Sequence, residues 1–355
     1  MPQGMQDTGP KSRGGRVTLK DIATVLGVSH VTVSLALRGS SQIPPATRER
    51  VRAAAQSLHY VPDESAQRLK TGKSGKLAFV SLRLAHAFIG QVVAGMERRA
   101  YESGRYLNNI LTYSTWFQVG ARKQILSQIL YGRQADAVVL ASMHPDTDMV
   151  REFRRHGVPL VLIEDQAPGC WSVRVDNVHG AREATALLIR AGCRRIALVS
   201  GELPAEGIEL NPTVPERRLG WEQALREAGR EPEPGLQADV RFYEFSEGAG
   251  ALDRLLKAEP GLDGIFCAAG DLVAMGIMER ARELGLRIGK DLKLVGYDDL
   301  QASRLLDPPL SSVQQPAEIL GAEALDLVLE ALDHPARPPR EIFHKPELRV
   351  RASAS

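Results

Sequence analysis

Cysteine is scarce in this chain: Cys170, Cys193 and Cys267 are the only three in 355 residues. An odd number cannot close into a complete disulfide set, and the spacing fits no metal site, so the thiols are expected to be reduced and structural. Long hydrophobic runs are missing too. No stretch of eighteen apolar residues occurs and no apolar segment opens the chain, so neither membrane insertion nor secretion is expected, and the expected compartment is the cytoplasm. Enzyme signatures are also lacking. No GxGxxG follows the first apolar run, no Walker sequence occurs, and no His, Cys or carboxylate cluster has metal-ligand spacing. The chain is therefore not expected to be an enzyme, and no catalytic residue, cofactor or metal is assigned.

What is present begins at Thr18–Arg38, TLKDIATVLGVSHVTVSLALR, which spells two short amphipathic helices joined by a tight turn. Thr18 is placed to cap the first, with Asp21 suited to the positive end of the helix dipole, and Ile22, Ala23, Val25 and Leu26 supply its apolar stripe. Gly27 stops that helix and Val28 tucks into the turn. Ser29 can cap a second helix carrying Val33, Leu35, Ala36 and Leu37. A second helix framed this way is the one normally laid in a major groove. Pro45 then stands near the start of a third helix, whose apolar face is Val51, Ala54, Ala55 and Leu58.

The charge agrees with DNA as a target. Residues 1–76 hold 12 lysines and arginines against 5 acids, near +7, while the remainder holds 33 against 38, near −5, so the whole chain carries +2. A basic end on an acidic body is the electrostatic footprint of phosphate binding. From Lys76 onward, short apolar runs alternate with helical stripes, which predicts parallel sheets with crossover helices. The expected strands are 77–82, 106–111, 137–140, 160–163, 196–199, 264–267 and 292–295. Ligands of such sheets sit at the carboxyl ends of the strands.

VTLKDIATVLGVSHVTVSLALRG followed by TRERVRAAAQSLHYVPDESAQRLKTGKSG resembles the headpiece and hinge of the lactose/galactose repressor family of bacterial transcriptional regulators. The resemblance continues in order through GKLAFVSL, DAVVLAS, GVPLVLIE, VRVDNVHGA, ERRLGWEQAL, GIFCAAGDLVAMG, LKLVGYDDL and PPLSSVQQPAEILG. It implies an all-α helix-turn-helix headpiece and hinge helix, then a two-lobed α/β sensor like the periplasmic binding proteins. The expected divisions are a disordered basic tail at 1–16, a headpiece at 17–62, and a hinge helix and linker at 63–75. An effector-binding and dimerisation domain follows at 76–345, with a C-terminal strand and tail at 346–355. Within the sensor, lobes are expected at about 76–175 and 176–305, with a helix near 316–332 returning to both.

The resemblance also assigns residues. In the sensor, Arg217 matches a ligand-contacting arginine and Asp298 an aspartate that accepts from ligand hydroxyls. Glu164 ends a strand where many members have aspartate, and Phe88 and Ile89 occupy positions where aromatics often cover a sugar ring. Asp271 follows Gly270, which replaces a common ligand-contacting asparagine; that loss weakens the case for an ordinary hexose. Asp176 and Asn177 are expected to cap the helix near His179. The segment after Gly201, with Pro204, Gly207, Pro212 and Pro215, is the most irregular of the sensor and a candidate for the cleft rim.

In the headpiece, His30, Val31 and Leu35 are expected to face base edges, while Thr18, Ser29, Thr32 and Ser34 donate to phosphates. Leu35 stands where many members have arginine and Arg38 where many have asparagine, so the operator is expected to differ from the family's common form. Asp63–Leu69 is too short to be a stable helix alone; it is expected to fold when paired on DNA, with Ala66 at the close approach and Leu69 as the minor-groove wedge. Asp63 and Glu64 depart from the family's pattern.

The expected function is a regulator, a repressor on the family's pattern, that binds a palindromic operator as a homodimer under control of a sugar-like effector. It would stand on the nucleoid when bound, with no membrane partner. No leucine-heptad segment occurs, which favours a dimer over a tetramer. A soluble small-molecule-binding protein without a DNA role, and a regulator controlled by a partner protein, are the alternatives.

Overall fold

A computed structural model of the chain describes residues 17–60, 73–202 and 206–355. The expected tail at 1–16, most of the expected hinge including Ala66 and Leu69, and Pro204 lie outside the described residues. The chain divides into two compact units between Ser74 and Gly75.

In the first unit, α1 (Leu19–Leu26) follows Thr18, whose backbone N–H and hydroxyl both donate to the Asp21 carboxylate, at 2.8 and 2.7 Å. An acid in the first turn thus answers donors that a helix start leaves unpaired. Gly27 takes the left-handed conformation (φ 66°), and the chain bends by 106° into α2 (His30–Leu37), the crossing of a helix-turn-helix. Ser29 caps α2 by accepting the Thr32 N–H at 3.0 Å. α3 (Pro45–Ser57) has its proline in the first turn, and Arg48 donates to the Gly39 carbonyl at 3.0 Å, tying α3 to the turn after α2. Ile22, Val33, Ala36, Ile43 and Val51 form the shared core. Val25 departs from expectation: it is 58% exposed. At 100° per residue it lies about 110° from the middle of the stripe made by Leu19, Ile22, Ala23 and Leu26.

The second unit opens with β1 (Leu77–Ser81), α4 (Ala87–Ser103), β2 (Ile110–Ser114), α5 (Val119–Tyr131), β3 (Ala137–Ala141), α6 (Thr147–Arg155), β4 (Leu160–Ile163) and β5 (Trp171–Val175). It continues through α7 (Asn177–Arg190), β6 (Ile196–Gly201), α8 (Thr213–Glu227), β7 (Gln237–Val240), α9 (Phe245–Ala258), β8 (Gly264–Cys267), α10 (Asp271–Glu283) and β9 (Lys293–Asp298). β10 (Ser311–Gln314), α11 (Ala317–Asp333), β11 (Glu341–His344) and β12 (Glu347–Arg349) close it.

Two six-stranded sheets result, in the orders β11-β5-β4-β3-β1-β2 and β12-β10-β9-β8-β6-β7. Pairing is parallel throughout except β12 against β10. β1, β3, β4 and β8 are buried along their whole length, as strands covered on both faces by helices must be. The expected strand at 106–111 is corrected to 110–114, because Tyr106 and Asn108 adopt positive φ (59° and 61°) and turn the chain before the strand starts.

The chain passes between the lobes three times, after β5, after β10 and between β11 and β12. After the second pass α11 packs along α4, and two glycines permit it: a Cβ on Gly95 would collide with the Glu318 carbonyl, and one on Gly321 with the Val92 carbonyl. Among the described residues no single helix is long and apolar enough to cross a membrane. Gly95→Ala and Gly321→Ala are each expected to destabilise the sensor by about 1–3 kcal/mol through overpacking. Urea unfolding measures this, and an unchanged midpoint in both variants would contradict the close approach.

Candidate functional site

The headpiece presents α2 outward. His30, Val31 and Arg38 are exposed, whereas Thr32, Ser34 and Leu35 are half-buried. Leu35 packs against the Ile22–Val33 core, so only part of it is free to meet a base. The hydroxyls expected to reach phosphates are partly engaged already: Thr18 donates to Asp21, and the Ser29 and Thr32 hydroxyls lie 2.8 Å apart in a mutual hydrogen bond. Lys20 and Arg50, which the sequence reading passed over, are exposed on the same unit.

In the sensor, a cavity lies where the carboxyl ends of the two sheets meet, and it encloses about 470 Å³ with its open mouth included. One lobe supplies Phe88 and Ile89 from the start of α4, with Ser142 and Glu164 from the ends of β3 and β4. The other supplies Arg217 from α8 and Asp298 from the end of β9. Five of the six residues expected to meet a ligand therefore line one cavity.

Arg217 is buried and held on several sides. Its Nε donates to Asn177 Oδ1 at 2.9 Å, Nη1 to the Ala268 carbonyl at 2.8 Å and Nη2 to Glu164 Oε1 at 3.4 Å. Its guanidinium carbon stands 3.8 Å from the centroid of the Tyr297 ring, and the Tyr297 hydroxyl donates to the same Asn177 oxygen at 3.1 Å. Asp176 caps α7 by accepting the His179 N–H at 2.9 Å, while Asn177 positions Arg217, a larger part than capping.

Glu164 is buried, with Ser142 Oγ donating to Oε2. Burial pushes its carboxyl up to about 7 against the opposing pull of Arg217 and Ser142. Asp298 accepts from Gln315 Nε2 at 2.8 Å. His86, just before α4, is held below the usual imidazole range by burial, with the Asp298 charge pulling the other way. The outer wall is aromatic: Phe117 stacks on Tyr243 at 5.8 Å between centroids and meets Phe242 edge-on at 5.9 Å.

Asp271 is a correction. It does not line the cavity; it is wholly buried behind it, where one carboxylate oxygen accepts the Leu300 N–H (2.8 Å) and Ser303 hydroxyl (2.5 Å) and the other the Ser312 hydroxyl (2.6 Å). Its complete burial keeps it out of the cavity; it pins the segment that follows β9, directly after Asp298. Gly270 just before it has φ 104°, and a Cβ there would press on Asp298 Oδ2 at 2.8 Å, so the space an asparagine would need is already taken.

The sequence reading passed over His86, Ser142, Asn211, Phe242 and Tyr243, all of which line the cavity. Ser142 follows a strand that had been read correctly, and the rule of carboxyl ends could have found it. Phe242 and Tyr243 follow β7, a short strand that carries no apolar run. Among the described residues no group of three or more His, Cys, Asp or Glu could hold a metal ion, and all three cysteines are free and buried.

Comparison with known proteins bears on both units. The family model described as "Bacterial regulatory proteins, lacI family" matches residues 18–63, and that described as "Periplasmic binding protein-like domain" matches 185–354. The chain is 32% identical over 353 residues to the HTH-type transcriptional regulator CelR of Thermobifida fusca, covering 96% of this chain and 99% of that protein. It is 29% identical over 324 residues to the HTH-type transcriptional repressor CytR of Escherichia coli K12, covering 91% and 92%. Among solved structures it is similar to the lac repressor dimer bound to operator and the anti-inducer ONPF (TM-score 0.80, 26% identity, 96% of this chain and 99% of that one). It is also similar to a CelR–cellobiose complex (TM-score 0.68, 29% identity, 95% and 100%).

A folded carboxyl group whose pKa is raised from 4.5 binds a proton that the unfolded chain releases, so Glu164 costs stability as pH rises from about 4.5 to about 7, and the cost stays constant above that. Glu164→Gln should therefore raise the melting temperature relative to the unmodified protein at pH 8, by a margin that shrinks toward pH 5. A pH-independent difference in calorimetry would contradict this.

Proposed function

Because the chain belongs to the lacI family of bacterial regulatory proteins, we propose that it grips a palindromic operator as a homodimer and that a sugar-class effector between the sensor lobes sets the strength of that grip. The protein is a transcriptional regulator and not an enzyme; the cytoplasm, where operator DNA lies, is its proposed place of work. One observation carries the effector reading: Arg217, Glu164 and Asp298 converge on a cavity whose outer wall is aromatic. Paired donors and carboxylate acceptors suit vicinal hydroxyls, and aromatic faces suit the apolar side of a sugar ring. The cellobiose held by CelR supports the same ligand class.

On the DNA side, His30 and Val31 are proposed to face base edges, with Leu35 contributing its free portion as an apolar contact, for example to a thymine methyl. Lys20, Arg38 and Arg50 are proposed to meet phosphates. The coupling is a shift between lobe arrangements: an effector that prefers one changes the population from which the operator is bound.

Selection of bound duplexes from a random library at moderate salt, repeated with a panel of sugars and purines, tests the whole reading. A palindromic site and one panel member that alters retention are expected; no enrichment under any condition would overturn it. Leu35→Arg should change base preference at one position of each half-site, and an unchanged preference would remove Leu35 from the reading surface. Arg217→Lys keeps the charge but loses the fork. It should weaken effector binding about tenfold to a hundredfold and leave effector-free operator affinity as it was.

A further inference from the structure

Outside the cavity, a second contact joins the lobes. Residues 206–209 belong by chain order to the lobe of β6, yet they pair with the start of α5 on the other lobe. The Val119 N–H donates to the Gly207 carbonyl at 3.1 Å, the Glu209 N–H donates to the Phe117 carbonyl at 2.9 Å, and Gln118 and Ile208 form an antiparallel bridge between them. Beneath that bridge Arg122 Nε donates to Glu209 Oε2 at 2.7 Å, with the two side chains only 3% and 5% exposed. Arg122 Nη2 reaches Asp146 Oδ1 at 3.2 Å, while Nη1 is buried with no hydrogen-bond partner among the described residues. Neither Arg122 nor Glu209 lines the cavity, but their neighbours do: Phe117 stacks on Tyr243, and Asn211 stands two residues beyond Glu209.

A buried ion pair contributes little net stability because both charges lose their water, but it rewards a single geometry. This one joins two bodies whose relative placement defines the cavity. When the lobes part, both charges regain water, so opening is permitted; when they close, only one registry brings Nε onto Oε2.

We propose that Arg122 and Glu209 are positioning residues for effector binding: they clamp the 206–209 segment onto α5 and so fix the lobe registry in which the cavity is complete. The proposal rests on the cleft being the effector site, and its test separates the two.

In the full-length, effector-free protein, hydrogen exchange is followed at the amides of Val119 and residue 209, with Leu140 and Val199 as core references. Protection of the first two is expected, and Glu209→Ala should speed both by about tenfold, a typical coupling for contacting residues, while the core amides stay unchanged. Glu209→Gln, which keeps an acceptor for Arg122, should retain most of the protection. The double variant Arg122→Met with Glu209→Met guards against a folding defect caused by a stranded charge.

Cellobiose titration supplies the second arm, where Glu209→Ala should raise Kd about tenfold and Glu209→Gln far less. Free exchange at Val119 and Glu209 in the unmodified protein, or exchange and affinity both indifferent to Glu209→Ala, would overturn the clamp. If cellobiose does not bind the unmodified protein, that choice of effector fails by itself and the exchange arm decides the clamp.

Discussion

A guanidinium removed from water must find its hydrogen bonds within the protein, and the sensor is organised around that demand at Arg217. Its partners come from separate places in the chain: the first residue of α7, the loop after β8, the ring of Tyr297 in β9 and the carboxylate after β4. Three of these lie in its own lobe and hold it rigidly. The fourth, Glu164, comes from the opposite lobe and is the longest of its hydrogen bonds at 3.4 Å. One lobe thus presents a charge that a carboxylate of the other lobe answers. Because burial pushes the Glu164 carboxyl up to about 7, the strength of that answer depends on its protonation.

Closure is possible because of the way the chain is divided between the lobes. Only three passes of the chain connect the two sheets. The chain ends by binding each lobe to the other's sequence: β11 joins the sheet begun by β1, and β12 joins the sheet begun by β6. The last residues are anchored as firmly as the core, with Ser353 Oγ donating to the Leu294 carbonyl at 2.6 Å and accepting the Ser311 N–H at 2.8 Å. The passes join the lobes covalently, and the Arg122–Glu209 pair joins them through side chains. The cavity is lined by residues from both lobes, and this is the condition for any effector to bias one arrangement over another.

Much of this was legible in the residues, and the exceptions have physical causes. Strands that carry an unbroken apolar run announce themselves, which is why β1, β3, β4, β6 and β8 were readable; β7 (QADV), β11 (EIFH) and β12 (ELR), edge strands with polar positions exposed, were not, and neither were the interior strands β5 (WSVRV) and β10 (SSVQ), whose runs polar residues interrupt. Site residues attached to readable strands or to a matched motif, such as Glu164, Asp298 and Arg217, could be named in advance. Asp271 was misplaced because sequence adjacency to Gly270 says nothing about which way a carboxylate turns at a helix start. Only the fold shows that Ser303 and Ser312, more than thirty residues away, come round to claim it. The contact between 206–209 and α5 was invisible for the same reason, since Arg122 and Glu209 are 87 residues apart and neither belongs to a recognisable pattern.

The headpiece follows the opposite logic to the sensor cavity. There the polar groups are collected and kept available; here the short helices consume their own. With only eight residues each, α1 and α2 leave a large share of their backbone groups unpaired at the ends, and the nearby side chains answer that need first. Asp21 accepts the Thr18 N–H, Ser29 accepts the Thr32 N–H, and Arg48 donates to the Gly39 carbonyl. For the proposed operator contact, neutral hydroxyls already committed to the fold add little. The grip must then come from cations that the fold does not use, which makes affinity steeply dependent on salt. Base discrimination is left to the few exposed side chains at the start of α2. A fold that spends its hydroxyls on holding itself together thus leaves affinity to charge and specificity to shape.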